Sequence, residues 1–318
     1  MAADARSVPV VVLTGPTGVG KSDWALALAQ RRPIEIVSCD SAQVFRGLDI
    51  GTAKPDAAAR ARVPHHLLDL RDPSQSYSAG EFVRDATAAI RDIHARGRLP
   101  VVVGGTMLYI RALLLGMATL PRADAALRGE IDARAARDGW PALHAELARL
   151  DPGAAARIHA HDRQRIQRAL EVYYMTGTPI SQWQAAPART ATGFAFHGFA
   201  LVPGDRTVLH ARIARRFEAM MAAGFLDEVR RLYERGDLTL EHPAIRAVGY
   251  RQLWQHLAGE CPLEVAARRS IAATRQLAKR QLTWLKSALS LEKVEPFAPA
   301  ADAGWVARLG NSRELSVI

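Results

Sequence analysis

The chain has 318 residues, 49% hydrophobic and 23% charged, which suits one large or two moderate globular domains and excludes a disordered or fibrous chain. No run approaches the roughly 18 to 20 apolar residues of a membrane span, and two cysteines, Cys39 and Cys261, are too few for a disulfide framework or zinc site, so a reducing cytoplasm is the expected setting. The net charge of +10 is concentrated between residues 206 and 286, where basic residues outnumber acidic ones by 15 to 8; this fits a polyanionic partner such as a nucleic acid, or an arginine-rich composition with only five lysines.

The N-terminal stretch "VPVVVLTG" is short, valine-rich and runs into a glycine loop, so it reads as a buried strand and not as a leader peptide. "IEIVSCD", "LPVVVGGT" and "FHGFALVPGDR" read as three more buried parallel strands. Helical patterns lie between them. "SDWALALAQRR" follows the first strand, and "SAGEFVRDATAAIRDIHARG" precedes the third with a capping box at Ser78 and Glu81 and a stop at Gly97. Strand alternating with helix predicts a doubly wound α/β sheet. Residues 122–195 break the alternation with helical periods punctuated by Gly139, Pro152 and Gly177, as in a helical insertion between the third and fourth strands. The expected organisation is an α/β core of residues 1–121 and 196–290 with C-terminal helices, the insertion at 122–195, and a loosely held tail at 291–318.

Gly15, Pro16, Thr17, Gly18, Val19, Gly20, Lys21 and Ser22 fit G-x-x-x-x-G-K-[ST] between a strand and a helix. Glycines turn backbone N–H groups toward an anion, and the helix N-terminus adds the positive end of its dipole. Lys21 would reach phosphate oxygens, and Ser22 would ligate Mg²⁺. The acidic residue that a P-loop NTPase usually carries at the end of a further strand is missing, because "LPVVVGGT" ends in Gly104, Gly105 and Thr106. The carboxylate ends the second strand instead, at Asp40. It can accept a proton from an incoming nucleophile, or it can form a turn or cap a helix; both readings stand. Thr106 can donate to a leaving oxygen or cap the helix after it. Of Arg215 and Arg216, Arg216 is the favoured electrostatic partner of the anion, against a solvated helix face.

In "RRSIAATRQLAKRQLTWLK", Arg268, Arg275, Lys279 and Lys286 fall within about 40° of one another on a helix, opposite Ala273, Leu277, Trp284 and Ala288. No acidic residue interrupts Ala266 to Leu289, so the stripe suits a phosphate backbone better than a scattered solvated face. His65 and His66 are adjacent and point to different sides, which argues for hydrogen-bonded structural roles over a joint metal site. Trp254 and Trp284 read as core.

Seven motifs stand in order: "GPTGVGKS", "DSAQVFRGLDIGTAKP", "VPHHLLD", "VVVGGTMLYIRALLLG", "DRQRIQRALEVY", "IRAVGYRQLW" and "RQLAKRQLTWLK". Together, from Val10 to Lys286, the chain resembles the bacterial tRNA dimethylallyltransferases, or tRNA isopentenyltransferases. The resemblance implies a P-loop core and transfer of the dimethylallyl group of dimethylallyl diphosphate to N6 of adenosine 37 beside the tRNA anticodon, with no ATP consumed. It implies that Gly15 to Ser22 bind the diphosphate with Mg²⁺, that Asp40 takes the N6 proton, and that Thr106 assists the leaving diphosphate. Asp40, Ser41, Ala42 and Gln43 would face the target nucleotide. Arg128, Gln164, Arg165, Ile166, Gln167 and Arg168 would contact the anticodon stem-loop, with Arg246, Gly249, Tyr250, Arg251, Arg275, Lys279, Arg280 and Lys286 completing the RNA surface. A monomer is expected. Phe45 stands where the family pattern has Tyr, which puts any role of that hydroxyl in doubt here. Two other readings compete. A small-molecule or nucleoside kinase explains the cradle and Asp40, but not the insertion and basic stripe. A non-catalytic ATP-gated nucleic-acid-binding module leaves Asp40 and Thr106 idle.

Overall fold

The computed structural model describes residues 7–118, 120–185, 193–287, 289–312 and 315. The chain runs β1 (Val8–Thr14), α1 (Lys21–Ala29), β2 (Ile34–Cys39), α2 (Ala57–Arg62), β3 (His65–His66), α3 (Ala79–Ala95), β4 (Leu99–Gly104) and α4 (Met107–Leu115). Helices α5 (Ala125–Asp138), α6 (Trp140–Leu150), α7 (Pro152–Ala155), α8 (Arg163–Thr176) and α9 (Ile180–Ala185) follow. The chain then forms β5 (Phe194–Leu201), α10 (Arg206–Ala222), α11 (Phe225–Tyr233), α12 (Tyr250–Leu257), α13 (Leu263–Ser287), β6 (Glu292–Val294) and α14 (Ala301–Gly310). It divides into two compact units: residues 1–114 with 191–318, and Leu115–Thr190. The helical insertion was expected at 122–195.

The first unit carries one sheet in the order β3-β2-β4-β1-β5-β6, with every pairing parallel. Strands β1, β2 and β4 are buried almost end to end, because a parallel sheet is covered on both faces and its strands must be apolar throughout. Strands β1 and β4 lie side by side, yet the chain leaves β1 toward β2 and leaves β4 toward β5. Open parallel sheets leave a crevice at such a reversal, outside the carboxyl ends of the strands. Helix α3 begins at the predicted capping box: Ser78 Oγ accepts from the Glu81 N–H, and the Glu81 carboxylate accepts from the Ser78 N–H at 2.9 Å.

The four predicted long strands are present. Two short strands, β3 and β6, escaped the sequence reading, since two or three residues cannot display a period. The segment expected to be a loose tail is part of the core. Strand β6 pairs with β5, and Trp305 of α14 packs against Trp24 at 5.4 Å and Phe199 at 5.7 Å between ring centroids. Arg32 donates to the carbonyls of Leu309 at 2.8 Å and Leu315 at 2.7 Å, tying the chain end to the start of β2. Composition concealed this, because a proline- and alanine-rich stretch carries its packing in two aromatic and aliphatic anchors.

The second unit is helical, with a core that includes Ile131, Leu143, Leu147, Ile166 and Leu170. Its most deeply buried carboxylate among the described residues, Glu171, accepts from Arg128 Nε at 2.8 Å and Nη2 at 3.0 Å, from Arg168 Nη1 at 2.6 Å, and from the Asp124 N–H at 2.8 Å. Four donors offset the cost of burying that charge. Gly139 and Gly177, read as helix punctuation, end α5 and α8 with positive φ of 82° and 68°.

Replacing Trp305 with Ala is expected to cost about 3–5 kcal/mol, the usual range for removing a large buried aromatic. Denaturant unfolding measures this, and a loss below about 1 kcal/mol would show that α14 is not part of the core.

Candidate active site

The P-loop owes its shape to glycine. Gly18 and Gly20 sit at φ of +81° and +101°, where a side chain is strained. A Cβ on Gly15 would lie 2.8 Å from the Leu201 carbonyl oxygen of β5. Gly20 caps α1 without a side-chain bond, so the first-turn N–H groups of α1 face the loop interior, where an anion would complete them. The loop borders a cavity of about 560 Å³, lined in part by Thr17, Lys21, Ser22, Asp40, Thr106 and Arg216.

The carboxyl ends of β2 and β4 form the second half of the site. A Cβ on Gly104 would lie 2.0 Å from the Cys39 carbonyl oxygen, so no side chain can stand at the end of β4. This is the physical reason for the missing strand-end carboxylate. Asp40, at the end of β2, performs the turn-forming role and leaves the other open. Its Oδ1 accepts from the N–H groups of Ala42 at 2.8 Å and Gln43 at 3.3 Å, while among the described residues Oδ2 accepts no hydrogen bond. The Thr106 hydroxyl accepts from the Ser41 N–H at 2.9 Å, which ties β4 to the Asp40 turn.

Charge is sorted within the cavity. Lys21, Arg216, Arg246 and Arg280 line it, with Asp40 as the opposing carboxylate. Burial pushes Lys21 down to about 8; Asp40 opposes the shift and Arg216 adds to it. The Lys21 ammonium donates to the carbonyls of Gly15 at 3.0 Å and Pro16 at 2.9 Å. Burial also lowers Arg216, with Asp40 opposing. Two cations held partly desolvated beside one carboxylate are short of negative charge, and an anion would supply it. Ser22 is exposed at the cavity wall. Arg215 is exposed on the same helix as Arg216 but does not line the cavity.

Several predicted contact residues are placed differently. The Tyr250 side chain is fully buried, and its hydroxyl donates to Glu228 at 2.5 Å, so it borders the cavity as a core residue and not as a free RNA contact. Gly249 is buried beneath Phe225, with a Cβ position 2.9 Å from that ring. Ile166 is core in the second unit, and Arg128 and Arg168 are engaged by Glu171, while Gln164 and Arg165 are exposed. Gln167 donates to Asp132 at 2.8 Å. The Gln43 amide is committed too, donating to the carbonyls of Thr52 and Ala53 and accepting from Ser38 Oγ at 2.9 Å. Phe45 is a core residue at 2% exposure, a position where a phenyl ring suffices.

On α13, Arg268, Lys279, Arg280 and Lys286 are exposed, whereas Arg275 is half-buried with its Nε lacking a partner among the described residues. The face opposite the cationic stripe lines the cavity through Leu277 and Trp284, so Trp284 is not core as expected, although Trp254 is. Arg251 is exposed outside the cavity. Both histidines have structural bonds: His65 Nδ1 lies 2.7 Å from the Val63 carbonyl, and His66 Nε2 lies 2.6 Å from Glu35.

Two buried polar residues that shape the site in the first unit were missed. Glu228 accepts from the N–H groups of Asp49, Ile50 and Gly51 and from Tyr250, which fixes the loop after Leu48. Gln281 accepts from the Thr17 N–H at 2.9 Å and donates to the Gly105 carbonyl at 2.8 Å. A signal existed for both. Glu228 shares an i, i+3, i+4, i+7 stripe with Phe225, Val229 and Leu232, and Gln281 shares one with Ala278, Leu282 and Leu285. A polar residue on such a stripe must find buried partners.

A parallel sheet with a glycine anion cradle at its carboxyl edge, facing a carboxylate and a hydroxyl across one cavity, defines a P-loop enzyme. Comparison with known proteins places it further. A family model described as IPP transferase matches residues 43–288, and one described as Isopentenyl transferase matches residues 8–76. The chain therefore belongs to the tRNA dimethylallyltransferase (IPP transferase) family. It is 59% identical over 283 residues to the tRNA dimethylallyltransferase of Bordetella petrii, covering 88% of this chain and 90% of that one. Among solved structures it is similar to the tRNA isopentenylpyrophosphate transferase of Bacillus halodurans, with 37% identity, a TM-score of 0.64, and coverage of 95% of this chain and 94% of that one. It is also similar to a eukaryotic dimethylallyltransferase acting on tRNA, with 30% identity, a TM-score of 0.78, and coverage of 95% and 78%.

Because Lys21 titrates near 8 in the free protein and a bound anion raises that value, anion binding takes up a proton above pH 8. The affinity for dimethylallyl diphosphate alone is expected to be nearly constant between about pH 7 and 8, where the diphosphate is fully ionised, and to fall by up to about tenfold per unit above that. Lys21→Arg removes this decline, since guanidinium stays protonated. Calorimetric titration between pH 7 and 10 measures it, and a flat profile in the unsubstituted protein would reject Lys21 as the titrating contact.

Proposed function

We propose that the protein transfers the dimethylallyl group from dimethylallyl diphosphate to N6 of adenosine 37 beside the anticodon of tRNA, giving N6-isopentenyladenosine. The observation that carries this reading is the single cavity shared by the P-loop, Asp40 and Thr106 at a sheet edge where β4 can hold no carboxylate. Neither competing reading is favoured by the family to which the chain belongs. The cradle supports a donor diphosphate, and the apolar wall formed by Ile213, Phe217 and Met220 suits its hydrocarbon tail.

In the reaction, the N6 lone pair forms a bond to C1 of the dimethylallyl group. The C1–O bond breaks, and diphosphate departs with the electron pair. The N6 proton passes to Asp40 Oδ2, the oxygen left free by the turn. Lys21, Arg216 and the P-loop amides stabilise the departing charge, and the Thr106 hydroxyl, held by Ser41, donates toward the bridging oxygen. Ser22 is exposed in the first turn of α1, and its hydroxyl would hold a Mg²⁺ that accompanies the diphosphate. Bound there, Mg²⁺ would neutralise leaving-group charge.

In the second unit the exposed Gln164 and Arg165 suit contact with the anticodon stem-loop; in the first unit the exposed cations of α12 and α13 suit RNA phosphates, and the target base leaves its stack to enter the cavity. No helix among the described residues is long and apolar enough to cross a membrane. A monomer acting in the cytoplasm, where its tRNA substrate is met, completes the proposal.

Mass spectrometry of nucleosides from tRNA incubated with the protein, Mg²⁺ and dimethylallyl diphosphate tests the assignment. N6-isopentenyladenosine is the expected product, and robust ATP turnover without prenyl transfer would reject it. Asp40→Asn is expected to keep tRNA affinity while kcat falls about 10²- to 10⁴-fold, the range for losing a general base; normal kcat with weakened binding would refute that role. Neutralising Lys279 and Lys286 should reduce the slope of log affinity for tRNA against log salt by about one for each phosphate that is no longer neutralised, and an unchanged slope would exclude the stripe from the RNA surface.

A further inference from the structure

Gln281 is buried on α13, 264 residues from Thr17 and 176 from Gly105, and its single amide joins the two halves of the site. Its Oε1 accepts the Thr17 N–H of the P-loop at 2.9 Å. Its Nε2 donates at 2.8 Å to the carbonyl of Gly105, the residue that precedes Thr106. The fit is tight: a Cβ on Gly105 would lie 2.5 Å from Gln281 Nε2 and 3.2 Å from the Gly15 carbonyl oxygen, so the β4 turn, the P-loop and this amide are packed against one another. The connection continues past Thr106, whose hydroxyl accepts from the Ser41 N–H beside Asp40. One side chain therefore spans from the leaving-group cradle to the β4 turn that carries the hydroxyl, and that hydroxyl in turn reaches the Asp40 turn.

We propose that Gln281 is a positioning residue for prenyl transfer: through its two hydrogen bonds it sets the separation between the diphosphate cradle and the β4 turn that carries Thr106, and through Thr106 the place of the Asp40 turn. The amide suits this task because it needs both an acceptor and a donor in fixed order. A carboxylate in its place would accept from Thr17 yet oppose the Gly105 carbonyl and place negative charge beside a diphosphate. A neutral carboxyl would restore the donor. An apolar residue of the same length would keep the volume and lose both bonds. A misplacement on the order of 1 Å between reacting groups lowers rates about 10²-fold, which is the scale expected here.

The proposal rests on the prenyl-transfer reading, and its test separates the two. Gln281→Met and Gln281→Glu are compared with the unsubstituted protein for kcat, KM for tRNA, thermal midpoint and affinity for inorganic diphosphate. For Gln281→Met we expect kcat about 30- to 100-fold lower per folded molecule at every pH, diphosphate affinity about tenfold weaker, and KM for tRNA within about twofold. For Gln281→Glu we expect a loss of about 100-fold at pH 8, recovering at least about tenfold, relative to the unsubstituted protein, by pH 6 as the carboxyl takes up a proton and donates to Gly105. A structural defect alone would lower the thermal midpoint and the active fraction without producing that acid-side recovery. The proposal is overturned if Gln281→Met keeps kcat within about threefold per folded molecule, or if the Gln281→Glu deficit does not change with pH. If the unsubstituted protein makes no prenylated nucleoside, the functional reading fails; the diphosphate affinities then decide the positioning role, with unchanged affinity in Gln281→Met overturning it.

Discussion

The site depends on backbone meeting backbone at the carboxyl edge of a parallel sheet. Gly15 is pressed against Leu201 of β5, Gly104 against Cys39 of β2, and Gly105 against both the P-loop and Gln281. A side chain at any of these three points would separate β5, β1, β4 and β2 where they must converge. Convergence brings the first turn of α1, the Asp40 turn and the Thr106 hydroxyl to one cavity. The order β2-β4-β1-β5 opens that cavity at the strand reversal, and the glycines let the walls approach closely enough for groups from four strands to act on one substrate.

Buried polar side chains complete what the glycines permit. Glu228, Glu171 and Gln281 each stand on the apolar face of a helix, and each is satisfied by several partners. Such groups are a weak source of net stability, because desolvation offsets most of what their bonds contribute. What they supply is geometric uniqueness. Glu228 accepts three consecutive backbone N–H groups, so the loop through Gly51 has one conformation, and Gly51 can lie under Phe225 only because it lacks a Cβ, which would stand 2.1 Å from that ring. That loop carries the Thr52 and Ala53 carbonyls that hold Gln43. An apolar residue at 228 would fill the volume and release the loop.

Periodicity and glycine chemistry made the long strands, the capped helix α3, the helical insertion and the P-loop legible, since each is a local consequence of local sequence. Asp40 was legible as a strand-end carboxylate, and its two readings proved compatible because a carboxylate has two oxygens. What could not be read locally was set by partners far along the chain. Tyr250 and Arg128 look like surface groups available to RNA until Glu228 and Glu171, 22 and 43 residues away, are seen to hold them. The α13 pattern set a cationic stripe, of which Arg268, Lys279 and Lys286 are exposed and Arg275 half-buried, against an apolar face on which Trp284 was read as core. The core actually takes the flank marked by Ala278, Gln281, Leu282 and Leu285, and the face with Leu277 and Trp284 borders the cavity. A helical wheel gives relative angles; only the neighbours decide which angle is buried.

The remaining question is which bond the cradle helps to break. A P-loop that moves a phosphoryl group needs its metal held across from the loop by a carboxylate at a neighbouring strand end, because charge develops on the transferring phosphorus oxygens. Here that position is closed to any side chain by the 2.0 Å approach to the Cys39 carbonyl. The carboxylate stands instead on β2, with one oxygen anchored in its own turn and the other free, a disposition suited to receiving a proton and poor for caging a metal. Lys21 and Arg216 are partly desolvated and lack a full complement of counter-charge, so they respond most strongly to a group whose negative charge grows as it leaves. An allylic diphosphate meets that condition: the whole diphosphate departs with the electron pair, and the developing positive charge stays on carbon against an apolar wall. The same cradle that would clasp a nucleotide's phosphates therefore suits cleavage of the C–O bond, because the residues around it stabilise a departing diphosphate and leave a carboxylate oxygen free for the proton of the incoming nucleophile.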